Sequence, residues 1–446
     1  MLNQAELSIT EISQKGDGVA HLNNLCIEIP HTLPGDVIKA HWGRKRKGFA
    51  KGRLEEILTL SPLRGEPKCP HSRICGGCHF HEMLYTHQLR HKEKILQELF
   101  QKLPLDILPI VPADPYWQYR NKMEFTFSQN RANTQFLGLM IARAQNYVFN
   151  LEHCHLAAPW FSKVLLAVKE FWGKSGLSAF DPPRNSGTFR TLTLREGKRT
   201  DEKMVILTVA EEIISSHAEA FVQAVLSVEN VTSIIIRWQK TEKGVPTQFI
   251  DTLLYGRPYI QEKLLVQDKE FVFRISSSSF FQPNTFQAEK LYTLALALAK
   301  PTKDMIVYDL YCGTGTIGMF FSPFVKKVYG IESNEEAVAN GKENLQENRI
   351  SNVVLYSGMV EKLVETLPEK PDLVIVDPPR CGLDAQTISY LMKLAPKKIL
   401  YISCNPKTQV RDIELFSSYR PIHMQPVDQF PHTVHIENIV LLDLIF

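Results

Sequence analysis

From about residue 276 onward, short apolar runs alternate with amphipathic stretches: "MIVYDLY", "KVYGIE", "VVLYSG", "DLVIVD" and "KKILYIS". Each run is strand length, and the stretches between them carry the 3.6-residue period of helices. Five such runs predict a doubly wound parallel sheet, the arrangement of an α/β domain. A helix over 284–299 leads into it, and the final "HIENIVLLDLIF" reads as an added antiparallel strand at one side of the sheet. Residues 104–270 mix strands ("KMEFTFS", "MVILTVA", "SIIIRWQ") with amphipathic helices such as Trp160–Trp172, an α+β pattern. Residues 1–61 differ again: five short alternating runs broken by "KGDG" and "LPGD" predict a small β-barrel. "SPLRGEP" reads as a linker after it, and a helix is expected over 80–102. The expected domains are therefore 1–61, 62–270 and 271–446.

The predicted sheet collects chemistry at its carboxyl edge, where open parallel sheets bind ligands. The first run ends in Asp309, Leu310 and Tyr311, followed by "CGTGTIG", whose glycines let the backbone approach a ligand at a helix start. Gly313, Gly315 and Gly318 satisfy G-x-G-x-x-G, a weak signal that a dinucleotide site would share. An acid immediately before those glycines would repel a pyrophosphate and favours a nucleoside cofactor without one. Glu332 ends the second run, where a carboxylate can accept from ribose hydroxyls. Asp377 opens "DPPR", which is similar to the D/N-P-P-aromatic motif of amino-group methyltransferases, with Arg380 in the aromatic place. That departure argues against amino methylation.

The fifth run delivers Cys404 to the same edge, where Pro406 stops further pairing. A thiol here is ordinarily a small buried hydrophobe. A poorly nucleophilic acceptor such as pyrimidine carbon 5 gives it work: thiolate addition at carbon 6 makes carbon 5 reactive. A base must then remove the carbon-5 proton, and Glu437 opens the last apolar run, flanked by His432 and His435. Alone, Glu437 would read as a solvated strand end.

Composition narrows the setting. The chain has 446 residues, a formal charge of +3 and eight cysteines. Its start lacks the basic, apolar pattern of a secretion signal, and no apolar run is long enough to cross a bilayer, so a cytoplasmic protein without a membrane partner is expected. Clustered cysteines then point to metal rather than disulfides. Cys69, Cys75 and Cys78, with Cys154 far downstream, could hold zinc or a 4Fe–4S cluster; spacing leaves both open. The near-neutral charge hides "RKRKGFAKGR" at 44–53, with six basic residues and no acid. Such a run fits a polyphosphate backbone or a solvated hairpin equally well.

Taken together, "DLYCGTGTIG", "VDPPR", "FFQPN", "ISCNP" and "HIENIVLL" resemble the RNA uracil-5-methyltransferases of the TrmA/RumA type, and the likeness spans essentially the whole chain. The resemblance implies a Rossmann-like S-adenosylmethionine-dependent methyltransferase domain. It makes Cys404 the nucleophile and Glu437 the base. Gln282, Tyr311, Glu332 and Asp377 would contact S-adenosylmethionine. Cys69, Cys75, Cys78 and Cys154 would hold a 4Fe–4S cluster, and residues 1–61 would be a TRAM domain that binds RNA. Members with both barrel and cluster mostly modify large-subunit ribosomal RNA, so 23S ribosomal RNA is the expected substrate, with transfer RNA as the alternative. A cytosine-5-methyltransferase and a non-catalytic ribosome assembly factor are the competing readings. A monomer is expected.

Overall fold

The computed structural model describes residues 3–144, 146–242 and 244–445. Its C-terminal sheet has eight strands. In spatial order they are Val353–Ser357, Lys327–Glu332, Ile306–Leu310, Leu373–Val376, Lys398–Ser403, Glu437–Leu444, Tyr419–Val427 and Asp106–Ile107. The first five are mutually parallel, and Glu437–Leu444 runs antiparallel to both neighbours. This is the expected doubly wound α/β sheet, differing at one side. The last strand is interior, because Tyr419–Val427 and Asp106–Ile107 lie beyond it. Pro421, His423, Gln425 and Pro426 disguise Tyr419–Val427 in the sequence, since proline and alternating polar residues suit an outer strand.

Both faces of the sheet are covered, which is why its central strands are apolar at every position. Val307, Leu373 and Ile375 point to a layer formed by helix Thr285–Ala299 and the hairpin Tyr259–Val266/Lys269–Ser276. Ile306, Tyr308, Val374 and Val376 point to the opposite layer, built from helices Tyr85–Phe100, Ala385–Leu394 and Pro406–Leu415. Helix Thr285–Ala299 starts where Asn284 accepts from the Gln287 N–H at 3.3 Å. Pro406, which ends the thiol-bearing strand, opens the next helix at a position where its missing N–H costs nothing.

Upstream, a seven-stranded mixed sheet over Lys122–Gly256 packs against helices Pro159–Ser175 and Ser215–Leu226. The N-terminal six-stranded sheet over Asn3–Thr59 encloses Leu7, Ile27, Ile38 and Trp42. Within it Lys47 and Gly48, both at positive φ, make a two-residue turn closed by Arg46 and Phe49. The basic run is thus a tight hairpin, and its six cations are exposed and, among the described residues, free of ion pairs. The segment "SPLRGEP" is no loose tether. Arg64 reaches Asp36 at 2.7 Å and also pairs with Glu82, pinning the N-terminal sheet to the residues that follow the cysteines.

Candidate active site

Strand register brings the candidate residues together. Leu310 pairs with Ile331 and with Val376, so Tyr311, Glu332 and Asp377 each stand one residue beyond a matched end. Ser403 pairs with Asn438 in antiparallel register, which sets Cys404 opposite Glu437. Directly opposed residues of such a pair have Cα atoms about 5 Å apart and side chains on one face. Gln282 arrives from the segment before helix Thr285–Ala299. Its backbone carbonyl accepts from Asn121 Nδ2 at 2.9 Å, and its side-chain oxygen accepts from Gln429 Nε2 at 3.4 Å.

The glycine turn is built from within. Tyr311, Gly313 and Gly315 all have positive φ, and a Cβ at Gly315 would press on Leu355. Gly313 donates its N–H to Glu332 (3.1 Å), and that carboxylate also accepts from the Asn334 N–H at 2.8 Å. Asp309 is fully buried beneath the turn and accepts from the Gly318 N–H at 2.8 Å. Its other oxygen has no partner among the described residues. The acid that the sequence places before the glycines therefore braces the helix start.

Burial of carboxylates near one another dominates the electrostatics. Burial lifts Asp309 to about 7, and Asp377 and Glu332 add repulsion. Asp377, partly open at the edge, also rises to about 7 through desolvation. Glu437 is pushed well above the ordinary carboxylate range by burial and by Asp377. Cys404 rises for the same reasons, chiefly burial and then Glu437 and Asp377. Arg380 opposes these shifts: the positive charge of its guanidinium favours the ionised forms of both Cys404 and Glu437. The Arg380 carbonyl is fastened to the thiol's own turn by Asn405 Nδ2 at 2.9 Å. Sequence reading treated Arg380 only as a missing aromatic. The signal was a cation three residues after a buried-strand acid.

Tyr292 was also missed. It lies in an apolar helix and reads as core, yet its hydroxyl contacts Gln282 and feels Asp377, Glu437 and Asp309.

Cys69, Cys75, Cys78 and Cys154 line one cavity with Trp117 and His155. Burial raises all four thiols, Cys75 to about 11; Cys154 and Cys69 raise Cys75 and Cys78 further, and Cys69 raises Cys154. Such a set needs a compensating cation to ionise together. Among the described residues no group of three or more His, Cys, Asp or Glu is arranged around a single metal ion. Four soft thiolate donors around one cavity suit either zinc or an iron–sulfur cluster.

A glycine turn on a parallel sheet, with an acid at the next strand end, makes this a doubly wound fold with a site for a nucleoside-bearing cofactor. The family model for tRNA (uracil-5-)-methyltransferase matches residues 247–445. An RNA methyltransferase of Protochlamydia amoebophila is 43% identical over 442 residues, covering 94% of this chain and 100% of that one. One from Clostridium tetani is 33% identical, covering 98% and 96%. The solved Pyrococcus abyssi tRNA (uracil-54, C5)-methyltransferase in complex with S-adenosyl-L-homocysteine superposes with a TM-score of 0.76, covering 98% of this chain and 100% of that one at 24% identity, which speaks to the fold. The chain belongs to the RNA uracil-5-methyltransferase family and is an S-adenosylmethionine-dependent RNA methyltransferase. Among the described residues no helix is long and apolar enough to cross a membrane.

Proposed function

We propose that this enzyme forms 5-methyluridine in RNA through a covalent adduct on Cys404. The observation that carries the reading is the register that opposes Cys404 to Glu437 beside Asp377. In this reading the Cys404 thiolate adds to uracil carbon 6, and the electron pair moves onto the ring so that carbon 5 becomes nucleophilic. S-adenosylmethionine supplies the methyl group on a sulfonium. Glu437 then takes the carbon-5 proton, and the returning electron pair expels Cys404 as thiolate. Arg380 offsets the negative charge on Cys404 at both ends of the cycle. Gln282, Tyr311, Glu332 and Asp377 are proposed to hold the cofactor, with Glu332 toward its ribose and Asp377 toward the methyl.

The four cysteines are proposed as ligands of a 4Fe–4S cluster, on the strength of the donor set and its shared cavity. Residues 1–61 are proposed as the RNA-binding TRAM domain, followed by the cysteine-bearing central domain to residue 270 and the catalytic domain from 271. The proposed target is a uridine of 23S ribosomal RNA, the substrate that the resemblance associates with members carrying both the barrel and the cluster proposed here. The description of the matching family model and the substrate of the Pyrococcus abyssi neighbour favour transfer RNA as the second reading. Mapping of 5-methyluridine by mass spectrometry, in both RNAs from cells with and without the gene, decides between them. The chemistry has its own test. Glu437→Gln should slow adduct resolution about 10²- to 10⁴-fold, the usual cost of losing a general base, and leave a methylated covalent protein–RNA species on a denaturing gel. Wild-type turnover by that variant would refute the mechanism.

A further inference from the structure

Glu437 is the first residue of a strand, and its placement depends on the loop before it. Val427 pairs with Glu437, so residues 428–436 close this hairpin. At the middle of the loop stands His432, buried and at φ 66°, a conformation a non-glycine side chain holds only when its surroundings enforce it. The enforcement comes from the cysteine segment. His79 and Phe80, directly after Cys78, both donate their N–H groups to the His432 carbonyl, at 2.9 and 3.0 Å. Gln88 accepts from the His432 N–H at 2.9 Å, and its amide meets Nδ1 at 3.1 Å. The ring stacks on Trp117, with centroids 3.7 Å apart, and Trp117 is itself a wall of the four-cysteine cavity. Two residues on, Tyr119 donates to the Pro431 carbonyl at 3.1 Å.

Helix Tyr85–Phe100 also holds the start of the loop, where Lys92 reaches Asp428 and the Phe430 carbonyl, but the holds on His432 and Pro431 include the residues directly after Cys78 and the Trp117–Tyr119 stretch beside the cysteines. We propose that the four-cysteine centre is a positioning device for the catalytic base: through Cys78–Phe80 and Trp117 it holds the turn at His432, and that turn sets Glu437 against Cys404. The proposal rests on Glu437 being the base. It makes Trp117, Gln88 and His432 positioning residues that touch neither RNA base nor cofactor.

The test reads the fate of the covalent adduct rather than overall activity. Trp117→Leu and Gln88→Leu each remove one hold on His432 and leave Cys404, Glu437 and the cofactor candidates in place. In both, S-adenosylmethionine affinity should stay within about twofold. Misplacing a reacting group by about 1 Å costs on the order of 10²-fold, so resolution of the methylated adduct should slow toward that value while its formation changes little. Adduct would then accumulate on a denaturing gel, as with Glu437→Gln. If Glu437→Gln accumulates adduct and both Leu variants resolve it at the wild-type rate, the positioning role is wrong. Loss of cofactor binding together with adduct formation in both variants would also overturn it, because that marks a general structural role. If Glu437→Gln itself accumulates nothing, the underlying mechanism fails instead.

Discussion

Asp309→Asn should flatten the pH dependence of stability around the cofactor site. Asp309 has an ordinary pKa of 3.8 and rises to about 7 in the folded protein. Between those values the unfolded chain has released a proton that the native state keeps, so stability falls as pH rises and the loss is complete above 7. Each unit of the gap is worth about 1.4 kcal/mol, which makes the penalty at pH 8 about 4 kcal/mol and at pH 5 about 2. The amide removes that penalty at every pH. Its oxygen can still accept from Gly318, but its NH₂ takes the place of the orphaned oxygen and brings an unsatisfied donor, at about 1–3 kcal/mol. The variant should therefore be the more stable protein at pH 8 by about 1–3 kcal/mol, and within about 1 kcal/mol of wild type at pH 5. A chain of several sheets need not unfold in two states, so the readout should be local. Hydrogen exchange of the Ile306–Leu310 amides at pH 5, 6, 7 and 8, corrected for intrinsic rates, reports this sheet alone. Wild-type and variant opening energies that run parallel across that range would refute the reasoning.

Arg380→Met should raise Cys404 further, because it removes the one cation that favours the thiolate. Alkylation of Cys404 by iodoacetamide at pH 8 should slow at least about tenfold, with exposed Cys381 as the internal control, and an unchanged rate would refute the role. Neutralising the six cations of the Arg44–Arg53 hairpin should flatten the salt dependence of RNA binding by about 0.7 in slope per lost single-strand contact. An unaltered slope, measured by titration against salt, would leave the hairpin merely solvated. Anaerobically purified protein should carry about four irons and a broad visible absorption that Cys78→Ser bleaches. Stoichiometric zinc without iron would exclude the cluster.

What the sequence could convey followed from chain-local physics. Apolar period and glycine placement revealed the doubly wound sheet, and strand-end positions put Tyr311, Glu332, Asp377 and Cys404 on one edge before any coordinates. The outer strand Tyr419–Val427 stayed hidden because its prolines and polar residues obey the rules of an outer strand, which resemble those of a loop. The partnership of Cys404 with Glu437 was legible only as chemistry. Its geometric basis is an antiparallel register, fixed by where the 428–436 loop returns the chain. That return is held by His79, Phe80, Gln88 and Trp117, more than 300 residues away in sequence, and no local pattern encodes such contacts. Arg380 illustrates the same limit from the other side. Its motif position marked it as an absence, while its effect depends on a thiol and a carboxylate brought in by two other strands. A base in this fold is specified less by being a glutamate at a strand end than by the tertiary contacts that decide which thiol it faces.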